Sequence, residues 1–213
     1  MTESACSWGL YLISCETMLR KSSFLPFLEK ALRAGVRAVQ LRAKNALDED
    51  ELLRIGREAR RLTREAGAAF IVNDRVDLAM QLDADGAHVG QDDLSPAEAR
   101  RILGAGKLLG LSTHSREQVL RAQREPVDYI GFGPVFPTMT KENPSPVTGL
   151  RNLAWAVRNS RLPVVAIGGI TLENVDDVLA AGARNAAVIS AVSQAPDPVE
   201  AVRAFLSRFQ PHI

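Results

Sequence analysis

Two aspartates in short polar motifs are the best candidates for metal chemistry in this chain. Asp74 follows Asn73 at the end of one hydrophobic run, and Asp93 ends the motif 88–93, which overlaps the next run. Carboxylates from neighbouring strands can bind Mg²⁺, which retains several waters and accepts phosphate oxygens as further ligands. Each aspartate also lies just before a predicted helix, where a carboxylate commonly acts as a cap. From spacing alone both interpretations stay open.

Three cations would bring positive charge to the same region. Arg42 and Lys44 alternate with uncharged residues in the motif 40–44, which places them on one side together with Gln40, and Lys141 follows a later run. With Mg²⁺ they could bind a pyrophosphate and stabilise it as a leaving group. A single long cation at a rim is more often solvated or ion-paired. The presence of three makes that alternative weaker.

Two hydroxyls and a long loop follow the sixth hydrophobic run. Thr138 and Thr140 alternate, so both side chains can face one ligand. They belong to the segment Pro137–Gly149, which is rich in proline, and loops of about a dozen residues often close over a site. The alternative is an inert insertion.

The histidines and cysteines do not indicate nucleophilic catalysis. His88 and His114 lie at strand ends, and Ser112 is close to His114 in sequence, but a Ser–His triad needs an acid partner that the sequence does not identify. A lone histidine at a strand end is more often a hydrogen-bonded structural group. We interpret four further residues as packing residues: Cys6, Cys15, Trp8 and Trp155.

The elements that must position these groups are eight short hydrophobic runs. The runs are apolar on both faces, which is typical of parallel strands covered on both sides. They span Gly9–Ser14, Ala38–Leu41, Ala69–Val72, Ala87–Val89, Leu108–Ser112, Tyr129–Phe132, Val164–Ile167 and Ala187–Ser190.

Amphipathic helices separate the runs. Residues 48–66 carry an apolar stripe at helical spacing, Ser95 and Ser115 each begin a predicted capping box, and Thr171 is a predicted cap of the helix that carries Val175. Predicted helix ends fall at three glycines, Gly35, Gly67 and Gly182.

Regular alternation of strand and helix predicts parallel strands with right-handed crossovers. Eight such units in 213 residues predict an α/β fold, a single (β/α)8 barrel of the TIM-barrel type, forming one catalytic domain over residues 1–213. A doubly wound open sheet is the alternative, but the first turn lacks a Gly-rich dinucleotide motif.

The last two strands of such a barrel predict a phosphate site. Gly168 and Gly169 follow the seventh run, and Ile189 and Ser190 end the eighth. Loops at these positions commonly bind phosphate through backbone N–H groups. Tight turning between strand and helix is the other reason for glycine there.

Composition limits the partners. The chain has 26 basic and 25 acidic residues, a net charge of +1, with 46% hydrophobic residues. This balance predicts neither a nucleic-acid nor a membrane surface. Two cysteines without a disulfide framework, no signal-peptide pattern and no long apolar stretch predict a cytoplasmic protein. A homo-oligomer is compatible with the sequence.

Together the motifs resemble the signature set of the thiamine-phosphate synthase family. The similarity extends roughly from Tyr11 to Ala204 and keeps the family's order. The matching motifs are Gln40-x-Arg42-x-Lys44, Asn73-Asp74, His88-x-Gly90-Gln91-x-Asp93, Ser112-Thr113-His114, Gly133-Pro134-Val135-Phe136-Pro137-Thr138-x-Thr140-Lys141 and Ala166–Thr171.

The resemblance implies that a hydroxymethylpyrimidine pyrophosphate and a phosphorylated hydroxyethylthiazole are joined to give thiamine phosphate and pyrophosphate, with Mg²⁺ as cofactor. It implies metal ligands at Asp74 and Asp93. Implied catalytic residues are Arg42, Lys44, Lys141 and Ser112. Implied substrate contacts are Gln40, Asn73 and His88 with Ser112 around the pyrimidine, Thr138 and Thr140 near the thiazole, and Gly168, Gly169, Ile189 and Ser190 at its phosphate.

Three departures from the family pattern affect fine substrate contacts. The first strand ends Ser14-Cys15 where members often carry Thr-Asp, Ala43 stands where an acid is common, and Met139 separates the threonines. The closest rival is a thiazole tautomerase with His114 as its strand-five histidine, but such relatives generally lack the second acid and the Thr-x-Thr-Lys run. A non-catalytic ligand-binding or regulatory paralogue would have lost catalytic groups, and a sugar-phosphate isomerase rests on fold alone.

Overall fold

The computed structural model describes residues 6–44, 47–138 and 145–209. It contains a closed barrel of eight parallel strands in chain order, with β1 paired to β8. The predicted barrel is therefore confirmed and the open doubly wound sheet is wrong. The strands are β1 Leu10–Ile13, β2 Ala38–Leu41, β3 Ala69–Asn73, β4 Gly86–Val89, β5 Leu108–Thr113, β6 Tyr129–Phe132, β7 Val164–Ile167 and β8 Asn185–Val188.

Helices follow the strands around the barrel. Their bounds are α1 Glu16–Arg20, α2 Phe24–Ala34, α3 Glu49–Glu65, α4 Val76–Gln81, α5 Pro96–Leu103, α6 Arg116–Ala122, α7 Gly149–Asn159, α8 Val175–Ala180, α9 Ser190–Ser193 and α10 Pro198–Phe209. Within the described ranges, none of these helices has the length and hydrophobicity that crossing a lipid bilayer requires.

The helix caps agree with the sequence in part. Ser95 forms the predicted capping box with Glu98. Ser115 Oγ accepts from the backbone of Gln118, but the Gln118 side chain accepts from His114 N, so only half of the second box forms. The cap predicted at Thr171 is wrong.

The N-cap of α8 is Asn174, because Thr171 lies in a preceding turn where its hydroxyl contacts Glu173. The helix ends predicted at Gly35, Gly67 and Gly182 are confirmed, and all three glycines have positive φ.

Two hydrophobic clusters stabilise the barrel. The larger fills the space between strands and helices, and Trp155 packs against it with Arg116 stacked 5.0 Å above its ring. The smaller lies inside the barrel and includes Cys6 and Trp8, so both are buried packing residues as predicted. Cys15, at the end of β1, is only partly buried.

Polar side chains close the amino-terminal ends of three strand pairs. Asp128 Oδ2, just before β6, accepts hydrogen bonds from Leu109 N of β5 at 2.8 Å and from Arg100 Nη2 at 2.6 Å. Asp85 and Asn185 make corresponding backbone contacts at the starts of β4 and β8. This end of the barrel is therefore stabilised by structural polar contacts.

Gly86 provides a test of strand packing in β4. A Cβ at this position would lie 2.0 Å from the backbone oxygen of Leu108, so β4 and β5 would have to separate. Gly86→Ala is expected to lower the free energy of unfolding by about 2 kcal/mol, the usual cost of overpacking. Urea denaturation measures it. Gly106→Ala is the control, because a Cβ there meets nothing within 4 Å; equal losses in the two variants would contradict the prediction.

Candidate active site

A cavity of about 540 Å³ opens where the carboxyl ends of the strands meet, and residues from all eight strands or their following loops line it. Parallel strands put these ends at one rim, so motifs far apart in sequence converge there. The sequence-predicted residues lining the cavity are Gln40, Arg42, Lys44, Asn73, Asp74, His88, Asp93, Ser112, Thr138, Gly168, Gly169, Ile189 and Ser190. Thr140 and Lys141 lie outside the described residues.

The two aspartates line the same cavity without capping the helices that follow them. Asp74 has φ 60°, and its backbone N–H donates to the carbonyl of His88 on the neighbouring strand. Asp93 Oδ2 accepts from Gly90 N at 2.7 Å. The N-caps of α4 and α5 are Arg75 and Ser95, so the capping interpretation of both aspartates is wrong.

The donor set is compatible with Mg²⁺. Among the residues that the structure describes, no group of three or more His, Cys, Asp or Glu side chains could hold a metal ion. Mg²⁺ commonly binds through one or two carboxylates, with waters and substrate phosphate oxygens completing its shell. Asp74 and Asp93 both line the cavity, and two carboxylates are a donor set of that kind.

Arg42 is held in place by neighbours that the sequence did not identify. Its side chain is buried, and its Nη1 lies 3.5 Å from Glu16 Oε1 at the start of α1. Ser14 Oγ accepts from Arg42 N at 2.8 Å and donates to Arg42 O at 3.0 Å. The serine at the departure from the family pattern thus fixes the backbone of a cavity cation. Lys44 is exposed at the rim.

The cavity floor contains a hydrogen-bonded chain through two tyrosines that the sequence analysis missed. Gln40 Nε2 donates to Tyr11 Oη at 3.0 Å, and Tyr11 Oη lies 3.0 Å from Tyr129 Oη. Tyr129 Oη lies 3.2 Å from His88 Nδ1, and His88 Nε2 lies 2.9 Å from Ser112 Oγ. All five side chains line the cavity.

Burial keeps both tyrosines in this chain neutral. Loss of hydration on burial raises the pKa of Tyr11 and of Tyr129 well above the ordinary tyrosine range. Ser112 pairs with His88, whose other ring nitrogen lies beside the Tyr129 hydroxyl. The only sequence signal for Tyr11 and Tyr129 was a hydroxyl inside an otherwise apolar run.

The glycines after β7 are required by close packing. Gly168 and Gly169 have positive φ, and a Cβ on either would collide with Pro134 or with the Phe136–Pro137 backbone region. The structure therefore supports the tight-turn reason for these glycines, while both still line the cavity.

The end of the eighth strand differs from the sequence prediction. β8 ends at Val188 and not at Ser190, and Ile189 is the N-cap of the short helix α9 that begins at Ser190. Ile189 and Ser190 nevertheless lie at the cavity.

His114 also faces the cavity. Its Nδ1 lies 2.6 Å from the carbonyl of Gly133. Nearby, Gln91 Nε2 donates to the carbonyl of Ser112 at 2.6 Å and its amide oxygen accepts from Arg121. These contacts fix the rim between β4 and β6.

Comparison with known proteins agrees with this geometry. A family model described as thiamine monophosphate synthase matches residues 10–192. The thiamine-phosphate synthase of Chlorobium luteolum is 43% identical over 195 residues, covering 92% of each chain. That of Persephonella marina is 46% identical over 184 residues, covering 86% of this chain and 87% of the relative.

The solved structure of thiamine phosphate pyrophosphorylase from Pyrococcus furiosus superposes with a TM-score of 0.86 at 37% identity, covering 95% of this chain and 96% of that one. A 3-hexulose-6-phosphate synthase structure, with a TM-score of 0.68 at 17% identity over 95% of this chain and all of that one, shares the fold alone. By family match, sequence identity and structure, the chain belongs to the thiamine monophosphate synthase family.

Proposed function

We propose that this protein joins a hydroxymethylpyrimidine pyrophosphate to a phosphorylated hydroxyethylthiazole, giving thiamine phosphate and pyrophosphate. The observation that carries the proposal is convergence: the acids, cations and polar residues of separate motifs line one cavity in a chain of this family. The relatives from Chlorobium luteolum and Persephonella marina are named as thiamine-phosphate synthases.

The reaction needs stabilisation of a leaving anion. The bond between the exocyclic methylene carbon and the pyrophosphate oxygen breaks, and its electron pair leaves with the pyrophosphate. The lone pair of the thiazole nitrogen then forms the new C–N bond. Arg42 and Lys44, which line the cavity, would stabilise the departing oxygen with their positive charge, and Lys141 would have the same role. Bound by Asp74 and Asp93, Mg²⁺ would supply further electrostatic stabilisation.

The remaining residues divide between the two rings. Gln40, His88 and Ser112, at the cavity floor, would bind the pyrimidine, and Asn73 pairs in register with His88 at its edge. Thr138 would contact the thiazole, and Thr140 is predicted to do the same. The thiazole phosphate would bind at Gly168, Gly169, Ile189 and Ser190, and the loop 137–149 would exclude water from the cationic pyrimidine.

The discriminating test is release of pyrophosphate. Purified protein with Mg²⁺ and both phosphorylated substrates is expected to release one pyrophosphate for each thiamine phosphate formed. A thiazole tautomerase assay runs beside it, because His114 faces the cavity. Tautomerisation without pyrophosphate release by folded protein would reject the synthase. Full activity after removal of divalent metal by EDTA would reject the metal assignment.

The proposed location is the cytoplasm. Both cysteines of the described chain are free thiols, which is consistent with a reducing compartment. No nucleic acid is proposed as partner.

A further inference from the structure

The hydrogen-bonded chain at the cavity floor has one favourable direction. The amide nitrogen of Gln40 can only donate, so the oxygen of Tyr11 accepts there and its hydrogen is free for Tyr129. Tyr129 then accepts from Tyr11 and donates its own hydrogen to His88 Nδ1. The opposite direction would give the Tyr11 oxygen two donors and leave its own hydrogen buried with no acceptor among the residues that the structure describes. Leaving a buried donor unpaired is costly.

We propose that Tyr11 and Tyr129 are positioning residues that hold His88 as the neutral Nε2–H tautomer, which leaves the hydroxyl hydrogen of Ser112 for an acceptor on the bound ligand. The His88 Nδ1 atom accepts from Tyr129, so the ring hydrogen lies on Nε2. Nε2–H donates to Ser112 Oγ at 2.9 Å. The Ser112 hydroxyl hydrogen is then available to a ligand in the cavity that Ser112 lines.

The packing around the chain serves this contact. A Cβ on Gly110 would lie 2.3 Å from His88 Nδ1 and 2.5 Å from Tyr129 Oη, so only glycine leaves room for the hydrogen bond. Trp8 packs edge-on against Tyr129 with ring centroids 5.2 Å apart, and tilted against Tyr11 at 5.3 Å. Because burial raises the pKa of both tyrosines, each keeps one hydrogen to donate.

The direction of the chain specifies what the ligand must present. A ligand atom that receives the Ser112 hydroxyl hydrogen is an acceptor, such as an unprotonated ring nitrogen. The amide oxygen of Gln40 remains an acceptor, suited to an amino group on the same ring. This ligand specificity rests on the proposed function, whereas the tautomer of His88 does not.

The tautomer can be measured without substrate. In protein with ¹⁵N-labelled histidine, long-range proton–nitrogen correlation distinguishes Nε2–H from Nδ1–H. His114→Gln and His212→Gln identify the His88 signals by elimination. We expect His88 as Nε2–H. An Nδ1–H tautomer in the unaltered protein would overturn the proposal.

Two conservative variants test the tyrosines. Tyr129→Phe keeps the ring but removes the donor to His88, and we expect the Nδ1–H population to rise about tenfold. Tyr11→Phe does not touch His88, yet it frees Tyr129 to reorient, so a smaller rise is expected. The matched control is Thr113→Val, which removes a buried hydroxyl that donates to Gly131 O; it should leave the tautomer unchanged. If the Nδ1–H population stayed the same in both tyrosine variants, the proposal would be overturned.

Kinetic measurements distinguish a failure of the positioning role from a failure of the proposed synthase function. If the protein is a synthase, Tyr129→Phe is expected to lower kcat/KM for the pyrimidine substrate about tenfold, measured at a temperature well below the unfolding transition of the variant. Absence of synthase activity with the expected tautomer response would reject the function and keep the positioning role. Synthase activity with an unresponsive tautomer would do the reverse.

Discussion

Asp93→Asn is expected to lower turnover by between about a hundredfold and a thousandfold while leaving the fold intact. The amide oxygen of asparagine can still accept from Gly90 N, so the loop keeps its contact. What is lost is the negative charge that the proposed Mg²⁺ requires. Initial rates of pyrophosphate release over a range of Mg²⁺ concentrations measure the effect, and the circular dichroism spectrum should not change.

The partner and control variants make the metal assignment specific. Asp74→Asn should match Asp93→Asn, and the double variant should be no slower than either, because two ligands of one ion act as a unit. Asp77→Asn removes the same charge from a surface pair with Arg75 and should leave turnover unchanged. An Asp93→Asn enzyme retaining more than about a tenth of the original turnover would reject the shared ion.

The site residues that could be predicted from the sequence are those at the ends of strands. Apolar runs followed by polar motifs located Asp74, His88 and Ser112, because parallel strands of a closed barrel direct those positions to one rim. The same logic predicted the barrel itself, since eight strand–helix units with right-handed crossovers leave few alternatives.

The part that escaped prediction depends on long-range contacts. Tyr11 and Tyr129 lie within apolar strands, where periodicity assigns any aromatic residue to the core. Their hydroxyls find each other only because β1 and β6 face across the barrel interior. The sequence gives no sign of the role of Ser14 either, because its partner Arg42 follows a different strand, β2.

Helix caps and strand ends often have several candidate residues, and the sequence does not show which of them is used. Thr171 was a reasonable cap, but Asn174 lies closer to the first turn of α8 and occupies the N-cap position. The end of β8 moved because Ala187–Ile189 continues the hydrophobic pattern without a turn residue to mark the boundary. Such ambiguities shift an element by a few residues without moving the cavity.

Stability should depend most strongly on the opposite end of the barrel. Asp128→Ala is expected to lower the free energy of unfolding by about 3 kcal/mol, because it leaves Arg100 without its carboxylate and Leu109 N without its acceptor. The side chains of Asp128 and Arg100 are only 8% and 18% exposed, so water replaces these contacts poorly. Urea denaturation followed by circular dichroism measures the loss.

The solvent exposure of an ion pair determines how much its loss lowers the free energy of unfolding. Asp83 also pairs with an arginine, Arg64, but its side chain is 67% exposed, so Asp83→Ala should cost much less. Asp128→Asn should fall between the unaltered protein and Asp128→Ala, because the amide oxygen can still accept from Leu109 N. If Asp128→Ala were no more destabilising than Asp83→Ala, burial would not explain the stabilisation by the Asp128–Arg100 pair. If all three variants kept full synthase activity at low temperature, stability and catalysis would be confirmed as properties of opposite ends of the barrel.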